Sequence, residues 1–323
     1  MTRILVTGAN GFVGRAVVAA LAARDIDTVA LLRRKSGGMP GAIEHLHPHA
    51  DFAGLGEPGS PFPDGIDAVI HSAARVHVMR ETAPESADQA FMATNVEGTL
   101  RVARAARERG ASRFVFVSSI KALAERDDGR PLVETGTPHP EDAYGRSKLR
   151  AEQALREFGA RSGMEIVIVR PPLVYGPGVR ANFLNLMQAV ARGIPLPFGA
   201  LDARRSLVHV DNLADALVLG ALDARAVSGC FHVSDAETLT VSELLRAIGR
   251  HLGRPARLLP VPLPILRTIG RLSGRSAQID RLTQSLRVSH AALADTLGWR
   301  PPVSTDAGLA GTAAWYRSTQ RRG

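Results

Sequence analysis

Cysteine occurs once in this 323-residue chain, at Cys230. A single thiol cannot close an internal disulfide, and the cysteine spacing of a structural zinc site is absent, so neither a disulfide scaffold nor a metal centre is expected. That usage fits a reducing cytoplasm. No apolar run reaches the roughly 18 residues that span a bilayer, so no integral membrane segment is expected. Arg3 is followed directly by a strand, without the apolar core and small-residue cleavage site of a secretory leader. No internal repeat is present. Lysine is nearly absent, at Lys35, Lys121 and Lys148 against 37 arginines. The formal charge is +9, but the arginines are scattered and form no concentrated patch. Nucleic acid is therefore not an expected partner, and attraction of cofactor and substrate phosphates is the more economical reading.

What is present begins at once. Arg3-Ile4-Leu5-Val6-Thr7 reads as a buried parallel strand. It breaks at Gly8-Ala9-Asn10-Gly11-Phe12-Val13-Gly14, and Ala16 to Ala23 reads as a helix. Strand, glycine turn and helix form the context of a dinucleotide-binding fingerprint, here spaced G-x-x-G-x-x-G. Gly8 permits the tight turn, Gly11 lets a pyrophosphate approach, and Gly14 lets the helix pack close. The helix N-terminus offers N–H groups and a positive dipole end to phosphate. A second strand, Thr28 to Leu32, ends without the Asp or Glu that grips a ribose 2′-OH. Arg33-Arg34-Lys35 follows instead, which suits a 2′-phosphate, and Arg33 can bind phosphate bidentately and stack on adenine. Asp51-Phe52, after a third strand, are candidates to flank the adenine.

Asp67 to Ala74 reads as a fourth strand running into a small-residue turn, Phe91 to Arg109 as a long amphipathic helix, and Arg113 to Val117 as a fifth strand ending in Ser118-Ser119. His71 reads as a packed structural histidine. Charge, Gly and Pro between Ala124 and Pro140 predict a loop, an active-site flap. On the helix that follows, Tyr144 and Lys148 stand four apart and share one face. Ile166 to Arg170 is a sixth strand. This alternation predicts an α/β fold: a doubly wound parallel Rossmann sheet with a smaller, mostly helical C-terminal substrate domain. Residues 1–170 form the NAD(P)-binding domain, completed by short runs within about 206–234, and residues 171–323 the substrate domain. From Thr240 onward the pattern is mostly helical, with a Pro-rich interruption from Pro255 to Pro264. The Pro255 to Arg275 segment, apolar and basic, packs on the substrate domain or touches a lipid surface.

The motifs TGANGFVG (7–14), HSAA (71–74), NVEGT (95–99), FVFVSS (114–119), YGRSK (144–148), RPPLVYGPG (170–178), RRSLVHVDNLADA (204–216) and LGW (297–299) occur in an order and spacing that resembles the extended short-chain dehydrogenase/reductase family, in its nucleotide-sugar branch. The resemblance implies a dinucleotide held by Gly8, Asn10, Gly11, Phe12, Val13, Gly14, Arg33, Asp51, Phe52, Ala73, Ala74, Asn95, Lys148 and Pro171. NADP(H) is favoured, with NAD(H) the alternative. Tyr144 would be the acid/base at a sugar hydroxyl, and Lys148 would bind the nicotinamide ribose and lower the tyrosine pKa. Ser119 would hydrogen-bond the reacting oxygen. Asn182, Phe198 and Arg205 would contact a UDP-sugar, with Arg281 a second phosphate contact; a homodimer is compatible with the family.

Related 4,6-dehydratases carry Asp-Glu after the catalytic Ser/Thr, where this chain has Ile120-Lys121, so dehydration is not expected. Leu173 stands where many epimerases have Asn. With SSIKA, HVMRE (77–81) and RSLVHVDNL, the resemblance is greatest to enzymes of bacterial surface-polysaccharide synthesis. It implies reduction of a UDP-4-keto-6-deoxy-N-acetylhexosamine, with UDP-sugar 4-epimerisation on retained NAD as the alternative. A non-catalytic NAD(P)-sensing protein is a third reading, opposed by the intact Ser119, Tyr144 and Lys148.

Overall fold

The computed structural model describes residues 2–76, 84–272, 274 and 276–320, and of residues 84–87, 269, 277, 278 and 281 the backbone only. The HVMRE stretch at 77–81 lies outside the described residues.

The elements follow in order: β1 Arg3–Thr7, α1 Phe12–Ala22, β2 Asp27–Leu32, β3 Ile43–Leu46, β4 Ala68–His71, α2 Pro84–Met92, a π-helical turn Ala93–Glu97, α3 Gly98–Glu108, β5 Arg113–Val117, α4 Ala143–Ser162, β6 Glu165–Arg170, β7 Leu173–Tyr175, α5 Ala181–Ala191, β8 Arg204–Arg205, β9 Leu207–His209, α6 Val210–Leu222, β10 Cys230–His232, β11 Leu239–Thr240, α7 Val241–Leu252, α8 Leu263–Leu272, α9 Ser276–Thr283, α10 Ala291–Leu297 and α11 Thr305–Gln320. Seven strands pair in parallel in the order β10-β6-β5-β4-β1-β2-β3. The order reverses between β1 and β4, and open α/β sheets bind ligands at the carboxyl ends of the strands at such a point.

The strands are apolar on both faces because helices cover both faces. In β1, Ile4 and Val6 join a core with Val17, Val18 and Leu21 of α1 and Leu213 and Leu217 of α6. Leu5 between them joins the opposite core, with Val102 and Ala106 of α3 and Ala151 and Leu155 of α4. A third core gathers Phe183, Met187, Leu244, Leu245, Ile248 and Leu309 from α5, α7 and α11.

Three sequence expectations change. The helix expected from Phe91 already begins at Pro84 and is interrupted by a π-helical turn that brings in Asn95. Of the two apolar runs expected to return to the sheet, Cys230–His232 does so beside β6, while Leu207–His209 pairs with β7 in a separate two-stranded sheet. The Ala124–Pro140 loop is no free flap. The Asp127 carboxylate takes hydrogen bonds from the Arg287 backbone N–H (2.8 Å), its Nε (3.0 Å) and its Nη2 (2.8 Å). Leu132 N–H donates to Arg287 O at 2.8 Å, and Glu134 accepts the His232 N–H at 2.7 Å. These bonds tie the loop to residues 285–289 and to β10.

Candidate active site

The first half of the crevice is a turn shaped for a dinucleotide. Gly8 has φ +65°, and a Cβ there would stand 2.8 Å from the Ala73 backbone nitrogen. A Cβ on Gly14 would stand 2.1 Å from the Gly8 carbonyl oxygen, so α1 can lie this close to β1 only without a side chain. Gly11 N–H closes the turn onto Gly8 O at 2.8 Å. Among the described residues no side chain caps α1, and no acid sits in its first turn, so its N-terminal N–H groups are left for an anion. A cradle closed to every side chain and an uncapped helix start fit a bound diphosphate.

Around this turn the remaining candidates divide. Asn10 is exposed and its carbonyl accepts Arg15 Nε at 3.0 Å. Phe12 packs at the edge of the third core, and Val13 against the sheet. Ala73 N–H reaches Thr7 Oγ1 at 3.3 Å beside the half-buried Ala74. Arg33 and Arg34 are exposed at the end of β2, and among the described residues neither has an ion-pair partner. Glu44 shapes the loop beyond them, accepting from the Ser36 hydroxyl and from Gly38 N–H at 3.2 Å. Pro171 is buried and its carbonyl accepts Ile120 N–H at 2.9 Å.

Three expected contact residues have partners within the protein. The Phe52 ring lies in the core, stacked on His47 and tilted against His71, while the Asp51 carboxylate meets Arg101 at 3.1 Å. The Asn95 amide is buried, accepts Arg75 N–H at 2.8 Å and donates to Arg75 O and Ser147 Oγ, both at 3.0 Å. Both donor hydrogens are occupied, so this side chain fixes the exit of β4 against α4 rather than offering a donor to a cofactor. His71 is fully buried between Thr7 Oγ1 (2.9 Å) and Thr99 Oγ1 (3.1 Å). Burial, reinforced by Lys148, pushes its pKa down to about 3, so it is a neutral packed histidine.

The second half of the crevice is β5 facing α4. The two serines after β5 separate. Ser118 is buried and donates to Glu152 at 2.6 Å, while Ser119 is half-buried beside the Tyr144 phenol, whose ionised form it favours. Lys148 is 2% exposed and donates to the Val117 carbonyl at 2.7 Å. Its Nζ lies 4.5 Å above the Phe116 ring and 6.0 Å from the Tyr144 ring centroid. Burial pushes the Lys148 ammonium down to about 7, with Glu152 opposing. Burial, with Asp142 adding to it and Ser119 opposing, pushes the Tyr144 phenol up to about 12.

Glu152 was not singled out by the sequence reading, yet Tyr144, Lys148 and Glu152 recur every four residues on α4, and that spacing was the available signal. Glu152 is fully buried and takes Arg170 Nε at 2.8 Å and Nη2 at 2.6 Å. This ion pair fastens α4 to the end of β6. Removing one partner would strand a buried charge, at about 3–5 kcal/mol.

A second missed cluster surrounds Lys121, the residue in place of a dehydratase acid. Lys121 Nζ meets Asp142 at 2.5 Å and Glu125 at 3.1 Å, and its N–H donates to Ser119 Oγ at 3.2 Å. Asp142 is also the N-cap of α4, accepting Gly145 N–H at 2.7 Å. Its negative charge disfavours the Tyr144 phenolate, and Lys121 compensates that charge. A pH profile in the alcohol-oxidising direction rises as the phenolate forms. Asp142→Asn retains the cap, so its rising limb is expected at lower pH than wild type. Lys121→Met leaves Asp142 uncompensated, so its limb is expected at higher pH. Coincident limbs would show that this cluster does not tune Tyr144.

On the C-terminal side, Asn182 is exposed in the first turn of α5, and Phe198 is half-buried at the edge of the third core with its carbonyl accepting Ser242 Oγ at 2.6 Å. Arg205, half-buried on β8, pairs with Leu239. The Arg281 side chain lies outside the described residues.

A family model described as NAD dependent epimerase/dehydratase family matches residues 4–229. A UDP-glucose 4-epimerase of Vibrio cholerae is 37% identical over 325 residues, covering 99% of this chain and 97% of that one. A GDP-6-deoxy-D-mannose reductase of Pseudomonas aeruginosa is 28% identical over 331 residues, covering 99% and 98%. A solved structure of RMD from Pseudomonas aeruginosa, complexed with NADPH, superposes with a TM-score of 0.71 at 25% identity, covering 98% of this chain and 100% of that one. With the glycine turn, the parallel sheet and the Ser119, Tyr144 and Lys148 arrangement in place, this chain belongs to the NAD-dependent epimerase/dehydratase family and is an NAD(P)-dependent enzyme of the extended short-chain dehydrogenase/reductase type.

Proposed function

We propose that this chain reduces the C4 ketone of a UDP-4-keto-6-deoxy-N-acetylhexosamine with NADPH, in the cytoplasm, for surface-polysaccharide synthesis. The observation that carries the reading is the end of β2. Buried Leu32 stands where a carboxylate would select NAD, and exposed Arg33 and Arg34 follow without ion-pair partners among the described residues. A 2′-phosphate supplies the missing anion. The relative named as a reductase and the NADPH-bound neighbour support a reducing role. Leu173, 46% exposed on β7, would give the sugar pocket an apolar wall suited to a 6-deoxy methyl group.

The glycine turn and α1 would hold the diphosphate, Arg33 the 2′-phosphate and Lys148 the nicotinamide ribose. Bound there, the nicotinamide supplies hydride chemistry at the sugar C4. Tyr144, protonated at neutral pH, donates its proton to the oxygen developing at C4, and Ser119 hydrogen-bonds that same oxygen. Lys148 is poised near neutrality, so it gains charge as negative charge develops beside it. Asn182, Phe198, Arg205 and Arg281 would orient the UDP moiety. No carboxylate follows Ser119, and Asp142 and Glu125 are held by Lys121, so dehydration is not part of the proposed reaction.

The Vibrio cholerae relative favours a second reading, 4-epimerisation of a UDP-sugar on retained NAD. Cofactor choice separates the two. Arg33→Ala is expected to weaken NADPH binding by about tenfold or more, the loss of a charge-assisted hydrogen bond, with NADH affinity unchanged. Fluorescence titration of both cofactors measures this. NADH binding more tightly than NADPH in the wild type would support the epimerase instead.

A further inference from the structure

The arginines are scattered along the chain, but the carboxylates are not. Residues 171–323 contain 18 arginines against 10 carboxylates, a net +8 out of the total +9. Between Glu243 and Asp280 there are seven arginines and no carboxylate. This cationic stretch contains α8, which buries Leu266 and Gly270 and turns other residues outward. Ile265 is 51% exposed and Leu272 85% exposed, seven residues apart and so on one helical face. Leu259, 50% exposed, precedes them. Arg267 and Arg271 are exposed alongside, and Asp280 of α9 borders the same cleft.

Exposed aliphatic side chains beside cations, on a helix without acids, make up the pattern of a helix lying in a membrane interface. No helix of the described residues is long and apolar enough to cross a membrane, so the contact would be peripheral. We propose that α8 and the turn before it dock this enzyme on an anionic phospholipid bilayer, Leu259, Ile265 and Leu272 entering the acyl boundary while Arg257, Arg267 and Arg271 meet lipid phosphates. The charge asymmetry orients the approach: the C-terminal half carries the attraction, while the sheet half is close to neutral.

Flotation of the full-length protein with vesicles tests this. Phosphatidylglycerol-containing vesicles are expected to carry the protein upward, pure phosphatidylcholine vesicles not, and salt to release it. Arg267→Gln with Arg271→Gln is expected to lower the bound fraction at least about tenfold. Ile265→Ser with Leu272→Ser is expected to lower it similarly. All four positions are exposed, so C4 turnover on a soluble UDP-sugar and the melting temperature serve as folding controls and should be unchanged. Failure to float, equal binding to both vesicle types, or binding insensitive to the apolar pair would overturn the proposal. A wild-type dimer lost in the apolar pair, without vesicle binding, would assign the face to a second copy of the chain. Capture of duplex DNA without vesicle binding would assign the cations to nucleic acid.

Discussion

Tyr144→Phe is expected to lower turnover by about a thousandfold while leaving cofactor affinity nearly unchanged. The magnitude is that of one general acid/base group. The selectivity follows from placement: the substitution removes one hydroxyl, the one beside Ser119, while the ring keeps its tilted contact with Phe91 at 6.2 Å. The glycine turn, α1 and the Arg33 loop belong to other elements and are untouched. Steady-state kinetics with a parallel cofactor titration distinguishes the outcomes. Turnover within tenfold of wild type would remove Tyr144 from the mechanism.

Lys148→Met is expected to lower turnover by about a hundredfold or more, and unlike the tyrosine substitution to weaken cofactor binding as well. The ammonium is buried, bonded to Val117 O, above the Phe116 ring and four residues from Glu152. Methionine keeps the bulk and loses the charge, leaving the Val117 carbonyl without its donor. Glu152 retains Arg170 and Ser118, so the α4–β6 junction should survive, and the melting temperature should fall only modestly. Because burial holds Lys148 near pH 7 below its ordinary value, its charge contributes most against stability at acid pH. The sign follows: between the folded value and about 10.4 the unfolded chain binds the extra proton, so wild-type stability rises with pH across that window, and Lys148→Met should flatten the rise. Unchanged cofactor affinity together with unchanged turnover would contradict the role given to Lys148.

The alternating elements of the first 170 residues could be read from sequence because each buried strand is a short apolar run closed by a glycine or polar turn. The fingerprint could be read because its glycines sit where strand meets helix. The π-helical turn could not, since Ala93–Glu97 has no periodicity of its own and is fixed by Asn95 reaching Arg75 and Ser147. The loop at 124–140 looked free because its anchor, Arg287, lies 160 residues away from Asp127. Phe52 looked like a ligand contact because local sequence does not show that its ring meets His47 and His71. Lys121 was visible as a departure from the dehydratase pattern. Its partners Glu125 and Asp142 became visible only once the loop folded back on the start of α4.

The most direct measurement of the central claim supplies a UDP-4-keto-6-deoxy-N-acetylhexosamine with NADPH and follows the reduced-nicotinamide absorbance while the sugar product is resolved. Consumption of one NADPH for each C4 alcohol formed, faster than with NADH, is the result the account predicts. Absence of NADPH consumption, together with C4 interconversion of a UDP-hexose without added cofactor, would contradict it and establish the protein as an epimerase.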